Sequence, residues 1–118
     1  MRDVAYQPER GDFVYLDFTP QAGTEQAGRR PALVLSPRDF NIATGLAVVC
    51  PLTKTRTGSK FEVGLPRGTK LVGVVLSHQF RTVDWIARKA EFHSKANEDL
   101  MCEILGRIEA ILSIEVLS

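Results

Sequence analysis

Few residues of this sequence are spaced for a familiar type of catalysis. The two histidines, His78 and His93, belong to no HExxH pattern, and there is no glycine-rich phosphate loop. Cys50 and Cys102 lie far apart without a CxxC or Cys/His context, so we expect both to be small buried hydrophobic residues rather than metal ligands. The sequence therefore predicts no metal and no cofactor. What remains is the chemistry of arginine and hydroxyl groups, which bind and stabilise anions.

Basic and acidic residues are distributed unevenly along the chain. Lys and Arg number 15 and Asp and Glu number 14, and a formal net charge of +1 argues against a generic basic nucleic-acid binder. Residues 29–89, however, hold 11 basic and three acidic residues, whereas the rest of the chain holds four and 11. This asymmetry indicates either one anion-binding region or charges that interleave on one solvated surface.

Length and composition predict one globular domain over residues 1–118. With 118 residues, 44% of them hydrophobic, the chain has enough apolar surface for a core without metals or disulfides. Residues 1–10 are polar, unlike a signal peptide, and no run approaches the roughly 20 apolar residues of a membrane span. We therefore expect a cytoplasmic protein that does not bind membranes.

Apolar periodicity predicts several short strands followed by one helix. The predicted strands cover residues 11–18, 31–37, 46–52, 61–65, 73–76 and 85–92, and helical spacing covers 97–112. Residues 36–45 are predicted to form a turn or a short helical excursion. Residues 19–29 form a long polar loop, of a length that is often functional. Short strands in series with a terminal helix indicate a mainly β fold, as a small curved antiparallel sheet or barrel.

Several motifs occur in an order that matches a known family. A strand opens at Gly11-Asp12, the stretch 24–31 (TEQAGRRP) precedes a strand at 32–36, and Val49-Cys50-Pro51-Leu52-Thr53 follows. Gln79, the stretch 81–85 (RTVDW) and the terminal helix complete the series. Over about residues 9–115 the chain resembles the MazF/PemK family of bacterial toxins. The resemblance implies an SH3-like, partly open antiparallel barrel, in agreement with the strand count.

The resemblance also implies an activity. Members of this family are endoribonuclease toxins that cut single-stranded RNA, commonly messenger RNA, at short sequence motifs and without a metal. The adjacent ribose 2′-hydroxyl is the nucleophile, and the products carry a 2′,3′-cyclic phosphate and a 5′-hydroxyl. Such an enzyme must align the 2′-oxygen with the leaving 5′-oxygen, stabilise charge at phosphorus and move two protons.

Four residues match positions that this resemblance implies are catalytic. Arg30 would stabilise the phosphorane, although a salt bridge to Glu25 or Asp17 is an alternative. The Thr53 hydroxyl would donate to a phosphate oxygen, or merely cap a strand. Glu25 would act as a base or orient Arg30, or be a surface charge. His78 stands where relatives often have Asp or Asn, so it could replace an acid or base, stack on a base or hydrogen-bond the loop.

A wider set of residues would bind the RNA. Neutralisation of phosphates by basic side chains makes affinity depend on salt. Gln79 falls where the family usually has a glutamine, and Arg29, beside Arg30, would be at most an electrostatic helper. The predicted RNA-binding residues are Arg29, Lys54, Arg56, Lys60, Gln79, Arg81 and Arg88.

The resemblance implies two further partners and leaves two rival functions. The family works as a homodimer, and the C-terminal segment of a cognate antitoxin would block the RNA groove by occupying it. One rival is a non-enzymatic toxin of the same fold that binds gyrase through an aromatic C-terminal residue, which the tail 114–118 lacks. The other is an SH3-like RNA-binding module without catalysis.

The acidic residues near the C-terminus yield one geometric prediction. Six acidic residues lie between Glu91 and Glu115, on or near the terminal helix. We expect this helix to face away from the groove that contains Arg30. The near-neutral total charge would then be the sum over two unlike surfaces.

Overall fold

Seven short strands and two α-helices make up the described chain. The computed structural model describes residues 6–18 and 28–113. In chain order the elements are β1 (Asp12–Phe18), β2 (Gly28–Val34), α1 (Arg38–Thr44), β3 (Leu46–Thr53), β4 (Glu62–Gly64), β5 (Val74–Leu76), a 3₁₀ helix (Ser77–Gln79), β6 (Arg81–Asp84), β7 (Glu91–Lys95) and α2 (Glu98–Leu112).

The strands form one antiparallel sheet with β3 near its centre. The pairing order is β4-β5-β3-β2-β1-β7, and β6 pairs with the first half of β3, whose second half pairs with β5. The path from β4 to β7 does not close among the described strands. The prediction of a mainly β, partly open antiparallel fold with a C-terminal helix is therefore confirmed.

Both faces of the sheet carry apolar side chains, because alternate residues of the central strands point to opposite faces. The cluster on the face that α2 covers includes Phe13, Leu33, Cys50, Leu100 and Ile104. The cluster on the other face includes Val14, Ala32, Val34, Val49 and Trp85. The central strands are thus buried on both sides, which explains the near-continuous apolar run of β3.

The turn after β6 differs from the predicted sixth strand, 85–92. The Asp84 carboxylate accepts hydrogen bonds from the backbone N–H groups of Ile86 and Ala87, at 3.1 and 2.9 Å. These bonds turn the chain, and Lys89 completes the turn with a positive φ of 54°. The strand prediction is wrong because the aspartate side chain offers the backbone an alternative to a strand. The β2 boundary was also wrong, since that strand begins at Gly28.

The two cysteines have different environments in the structure. Cys50 is buried in the sheet, whereas Cys102 is exposed, so the expectation of a buried Cys102 is wrong. The reason lies in the period of α2, whose buried positions are Leu100, Met101 and Ile104. Cys102 follows Met101 by one residue, or about 100° around the helix, and so points to solvent.

The cysteine environments predict selective thiol modification. Burial raises the pKa of the Cys50 thiol to about 12, so this residue stays a protonated, inaccessible thiol at neutral pH. We expect a thiol reagent to label Cys102 alone in the folded protein and both cysteines after unfolding. Mass spectrometry of the labelled peptides measures this. Rapid labelling of Cys50 in the folded protein would contradict the buried position.

Candidate active site

Arg30 and Thr53 come together where the pairing of β2 with β3 ends. The last paired residues are Ala32 and Pro51, and Arg30 and Thr53 lie two positions beyond them, one on each strand. On its other edge, β3 pairs with β5 through Thr53 and Val74. Beyond Ala32 and Pro51, β2 and β3 are not paired, and both Arg30 and Thr53 line a cavity there.

This cavity, which we call the groove, is open to solvent and basic. Its volume is about 600 Å³. The lining residues are Tyr15, Gly28, Arg29, Arg30, Pro31, Leu52, Thr53, Lys54, Thr55, Lys70, Leu71 and Val72. Among these described residues there are four cations and no carboxylate or imidazole. A concave surface with one sign of charge attracts an anion, so the groove fits a phosphate backbone.

The side chain of Thr53 is oriented by its own loop. Its hydroxyl oxygen accepts a hydrogen bond from the backbone N–H of Thr55, at 3.2 Å. A hydroxyl has one donor besides its acceptor positions, so this bond leaves the Thr53 proton able to donate into the groove. The groove thus has an uncharged donor, the Thr53 hydroxyl, and a charged donor, the Arg30 guanidinium, in its lining. Phosphate oxygens accept hydrogen bonds from both.

The backbone of Thr53 is fixed by Gly73, which the sequence analysis did not single out. Gly73 has φ +121°, and a Cβ at this position would lie 2.2 Å from the Thr53 carbonyl oxygen. Because the neighbour is backbone rather than a flexible side chain, no small movement relieves this overlap. Only glycine fits here, and its absence of a side chain lets the 70–73 segment lie directly against Thr53.

The Arg29 side chain is held by carboxylates and a carbonyl of neighbouring segments. Its guanidinium donates to the Asp17 carboxylate at 2.6 Å and to the Lys89 carbonyl at 2.6 Å, and lies 3.3 Å from the Glu91 carboxylate. It thereby joins β1, β2 and the start of β7. The alternative that Arg30 pairs with Asp17 is wrong, since Arg29 holds that carboxylate. An RNA-binding role for Arg29 stays a prediction.

The loop after Thr53 is held by a carboxylate at the start of β4. Glu62 accepts hydrogen bonds from the backbone N–H and hydroxyl of Thr57, both within 3.1 Å, and from the N–H of Gly58 at 3.1 Å. The bonds from Thr57 are the main reason that the pKa of this carboxyl is lowered. Arg56, predicted to bind RNA, lies in this loop, and its guanidinium is close to Gly64.

The hydrogen bonds from Thr57 and Gly58 to Glu62, which we call the carboxylate clamp, should slow local opening of the loop after Thr53. Glu62→Ala should speed amide hydrogen exchange across residues 54–61, because three donors lose their acceptor. A glutamate whose pKa is lowered in the folded protein stabilises the fold at pH values above its ordinary pKa. This stabilisation is lost as the pH falls through the lowered pKa. The clamp should therefore hold at neutral pH. Glu109→Ala removes an exposed carboxylate from α2 and is the control; equal exchange in both variants would contradict the clamp.

Arg81 and Arg88 flank one aromatic ring. Their guanidinium carbons lie 5.7 and 5.3 Å from the centre of the Phe18 ring, and Arg88 also donates to the Asp17 carbonyl at 3.0 Å. The two arginines therefore form a separate basic cluster at the end of β1. Neither lines the groove, although both belong to the predicted RNA-binding set.

His78, Gln79 and Lys60 also lie away from the groove. His78 and Gln79 are exposed in the 3₁₀ helix that follows β5, at the end of β5 opposite to the pairing of Val74 with Thr53. The His78 ring packs against Phe61 with centroids 5.5 Å apart. Lys60 precedes Phe61, and its carbonyl accepts from Arg107 of α2. Within one chain the structure thus does not bring His78 to Arg30.

Three further features concern Glu25, the acidic residues of α2 and groups that could hold a metal. Glu25 lies outside the described residues. No residue of α2 lines the groove, so Glu103 and Glu109 do not share it with Arg30, as the charge analysis expects. Among the described residues, no three His, Cys, Asp or Glu side chains are close enough together to hold a metal ion.

Sequence reasoning missed Tyr15, Leu71 and Val72 as groove residues. Tyr15 lies on β1, where its register partner is Pro31. The apolar residues of segment 70–73 carry no chemical signature, and the strand prediction simply began after them. Gly73 was the available signal, because an isolated glycine at the start of a strand often marks a close approach of backbone.

Comparison with known families agrees with these observations. Residues 9–112 match the family of PemK-like, MazF-like toxins of type II toxin–antitoxin systems. The chain belongs to this family. The match spans the groove, both faces of the sheet and all of α2.

Individual relatives of this MazF/PemK-type chain are similar over most of its length. It is 45% identical over 85 residues to the endoribonuclease toxin MazF of Escherichia coli K12, covering 72% of this chain and 76% of that protein. It is 40% identical over 110 residues to the endoribonuclease PemK of Escherichia coli, covering 89% and 82%. A crystal structure of MazE–MazF (Form-II) from Deinococcus radiodurans superposes with a TM-score of 0.87 at 46% identity, covering 93% and 99%.

The MazF/PemK assignment confirms the resemblance inferred from the sequence motifs. In the described part of the chain, the α-helices are too short or too polar to cross a bilayer.

Proposed function

We propose that this chain is an endoribonuclease toxin that cuts single-stranded RNA, commonly messenger RNA, at short sequence motifs. Support comes from family membership and from relatives named as endoribonucleases. The observation that carries the proposal is that Arg30 and Thr53 line the same basic groove. A groove of this kind attracts a polyanion and presents donors to one phosphate within it.

The proposed reaction is an attack of the ribose 2′-oxygen on the adjacent phosphorus. A bond forms from the 2′-oxygen to phosphorus, and the bond from phosphorus to the 5′-oxygen breaks. The 2′-hydroxyl loses a proton and the leaving 5′-oxygen gains one, so the products carry a 2′,3′-cyclic phosphate and a 5′-hydroxyl. No water is consumed in this step, and the chain's own residues supply the donors without a metal.

Arg30 and Thr53 have distinct parts in this reaction. The guanidinium binds two phosphate oxygens at once and offsets the negative charge that develops on the phosphorane. The Thr53 hydroxyl donates to the same phosphate, and its orientation is fixed before substrate binds by the bond from Thr55. Glu25 and His78 stay predicted proton-transfer groups. Lys54 extends the positive surface along the groove. Arg56, Arg81 and Arg88 lie outside it and stay predicted RNA-binding residues.

The proposed assembly is a homodimer that a cognate antitoxin neutralises. The structural relative from Deinococcus radiodurans is a MazE–MazF complex, which supports an antitoxin partner for this chain. A disordered, acidic antitoxin segment fits a groove with four cations, because it competes with RNA for the same positive surface. A twofold dimer would bring two such basic regions into one continuous track.

Cleavage of a long RNA tests the proposal. Purified protein is incubated with the RNA plus EDTA, and both new ends are sequenced and chemically typed. We expect cuts at one short motif, with 2′,3′-cyclic phosphate and 5′-hydroxyl ends. Binding without cleavage would favour the RNA-binding module, and inhibition of gyrase without cleavage would favour the rival toxin.

A further inference from the structure

One wall of the groove is formed by three residues that the proposed reaction does not use. Lys70, Leu71 and Val72 line the same cavity as Arg30 and Thr53. Leu71 packs against the core cluster that α2 covers, whereas Lys70 and Val72 are exposed. The segment is therefore anchored by its middle residue and presents its two neighbours to the cavity.

Val72 is unusual for its exposure at this position. The residue is 71% exposed, the highest value among the exposed large hydrophobic residues of the described chain. A single exposed valine on an open surface is common and indicates no function. Val72, however, borders a polar, cationic groove. An apolar contact beside phosphate-binding groups suits a nucleic acid, which presents base faces next to its charged backbone.

The position of Val72 relative to the reacting groups is fixed by the backbone. Gly73 touches the Thr53 carbonyl, and Val74 pairs with Thr53 in the sheet. The Cα of Val72 is about 3.8 Å from that of Gly73, as in any trans peptide. A phosphate held by Thr53 therefore has Val72 within reach of an adjoining nucleotide.

We propose that the segment Lys70–Val72 selects the RNA sequence, with Val72 packing on a base beside the scissile phosphate and Lys70 binding a flanking phosphate. This inference rests on the proposed function. It assigns sequence preference to a rigid wall of the groove, whereas Arg30 and Thr53 act on a phosphate that every nucleotide shares. A fixed apolar side chain discriminates among bases by shape, because a base edge that does not fit it loses packing or clashes.

Cleavage-site preference tests the role of Val72. Wild type, Val72→Ser, Val72→Ile and the control Leu112→Ser cut the same random RNA library, and the cleaved ends are sequenced. Leu112 is also an exposed hydrophobic residue, at the end of α2 and away from the groove. We expect Val72→Ser to weaken discrimination at one motif position by about tenfold, the low end of what apolar fit supplies. Val72→Ile should retain it, and Leu112→Ser should match wild type.

Salt dependence of binding tests the role of Lys70. The probe is a pool of short random-sequence RNAs with 2′-O-methyl groups at every nucleotide, so that no attack occurs and no cut motif has to be known. Lys70→Gln should reduce the slope of log affinity against log salt by about 0.7, the value for one phosphate contact on a single strand. Arg67→Gln removes the same charge three residues away, from a residue that lines a separate cavity of about 190 Å³ beside α2. It should leave the slope unchanged.

The outcomes separate this inference from the proposed function. If wild type cleaves RNA but Val72→Ser keeps the full motif preference, or Lys70→Gln keeps the full salt slope, the inference is wrong and the proposed function stands. If wild type neither cleaves the library nor binds the 2′-O-methyl probe, both are wrong. If wild type binds the probe pool without cleaving, the proposed catalysis is wrong. The inference then stands only if Val72→Ser changes which sequences of the pool are bound and Lys70→Gln lowers the salt slope.

Discussion

Arg30→Ala should lower the rate of RNA cleavage by about 10³-fold, the loss typical of removing a preorganised donor or an arginine that stabilises a transferring phosphoryl group. Arg30 is exposed at the mouth of the groove, so the substitution leaves no buried group unpaired. The melting temperature should therefore stay within a few degrees of that of wild type. Single-turnover cleavage of a labelled RNA containing the motif measures the effect.

Two variants sharpen this prediction. Arg30→Lys keeps the charge but loses the planar pair of donors, so its rate should fall between those of wild type and Arg30→Ala. Arg38→Ala removes an exposed arginine from the start of α1, outside the groove, and should cleave at the wild-type rate. If Arg30→Ala cleaves as fast as Arg38→Ala, then Arg30 is not the stabilising cation.

Gly73→Ala should both destabilise the fold and disable the site. Its Cβ would meet the Thr53 carbonyl oxygen at 2.2 Å and the carbonyl carbon at 2.9 Å, in a conformation with φ +121° that an L side chain rarely adopts. The combined overlap and strain should cost on the order of 4 kcal/mol in the free energy of unfolding. Any relief comes from moving Thr53, so the folded fraction should cleave RNA slowly. Chemical denaturation and cleavage by the folded protein measure the two effects.

Gly106→Ala provides the matched control. Gly106 lies in α2 with no atom within 4 Å of a Cβ at its position, and its φ is not in the left-handed region. Alanine there should stabilise the protein by about 0.5 to 1 kcal/mol, the usual gain in a helix interior. Equal stability and activity of Gly73→Ala and wild type would show that segment 70–73 does not press on Thr53.

The fold was largely predictable because its signals are local. The apolar run of β3 and the helical period of α2 each reflect burial of nearby side chains, and a sequence shows both. The turn at Asp84 was not predictable from alternation, since side-chain-to-backbone bonds decide it. The exposure of Cys102 depended on the rotation of α2, which tertiary packing sets.

The candidate site was predictable only in part. The family resemblance pointed to Arg30 and Thr53, and both line the groove beyond the last paired residues of β2 and β3. The wall that contains Val72 escaped prediction because its position follows from a contact between backbones distant in sequence. The charge asymmetry was informative, but the structure divides the basic residues into the groove, the loop that Glu62 holds and the cluster around Phe18.

The most direct test of the account uses an RNA with a single 2′-deoxynucleotide. Once the cut motif is mapped, the nucleotide that supplies the 2′-hydroxyl is replaced by its deoxy form, and a second RNA carries the deoxynucleotide one position farther away. The account predicts that the first RNA is not cut at that phosphate and that the second is cut normally. Unchanged cleavage of the first RNA would contradict attack by the 2′-hydroxyl, and with it the role assigned to the groove between Arg30 and Thr53.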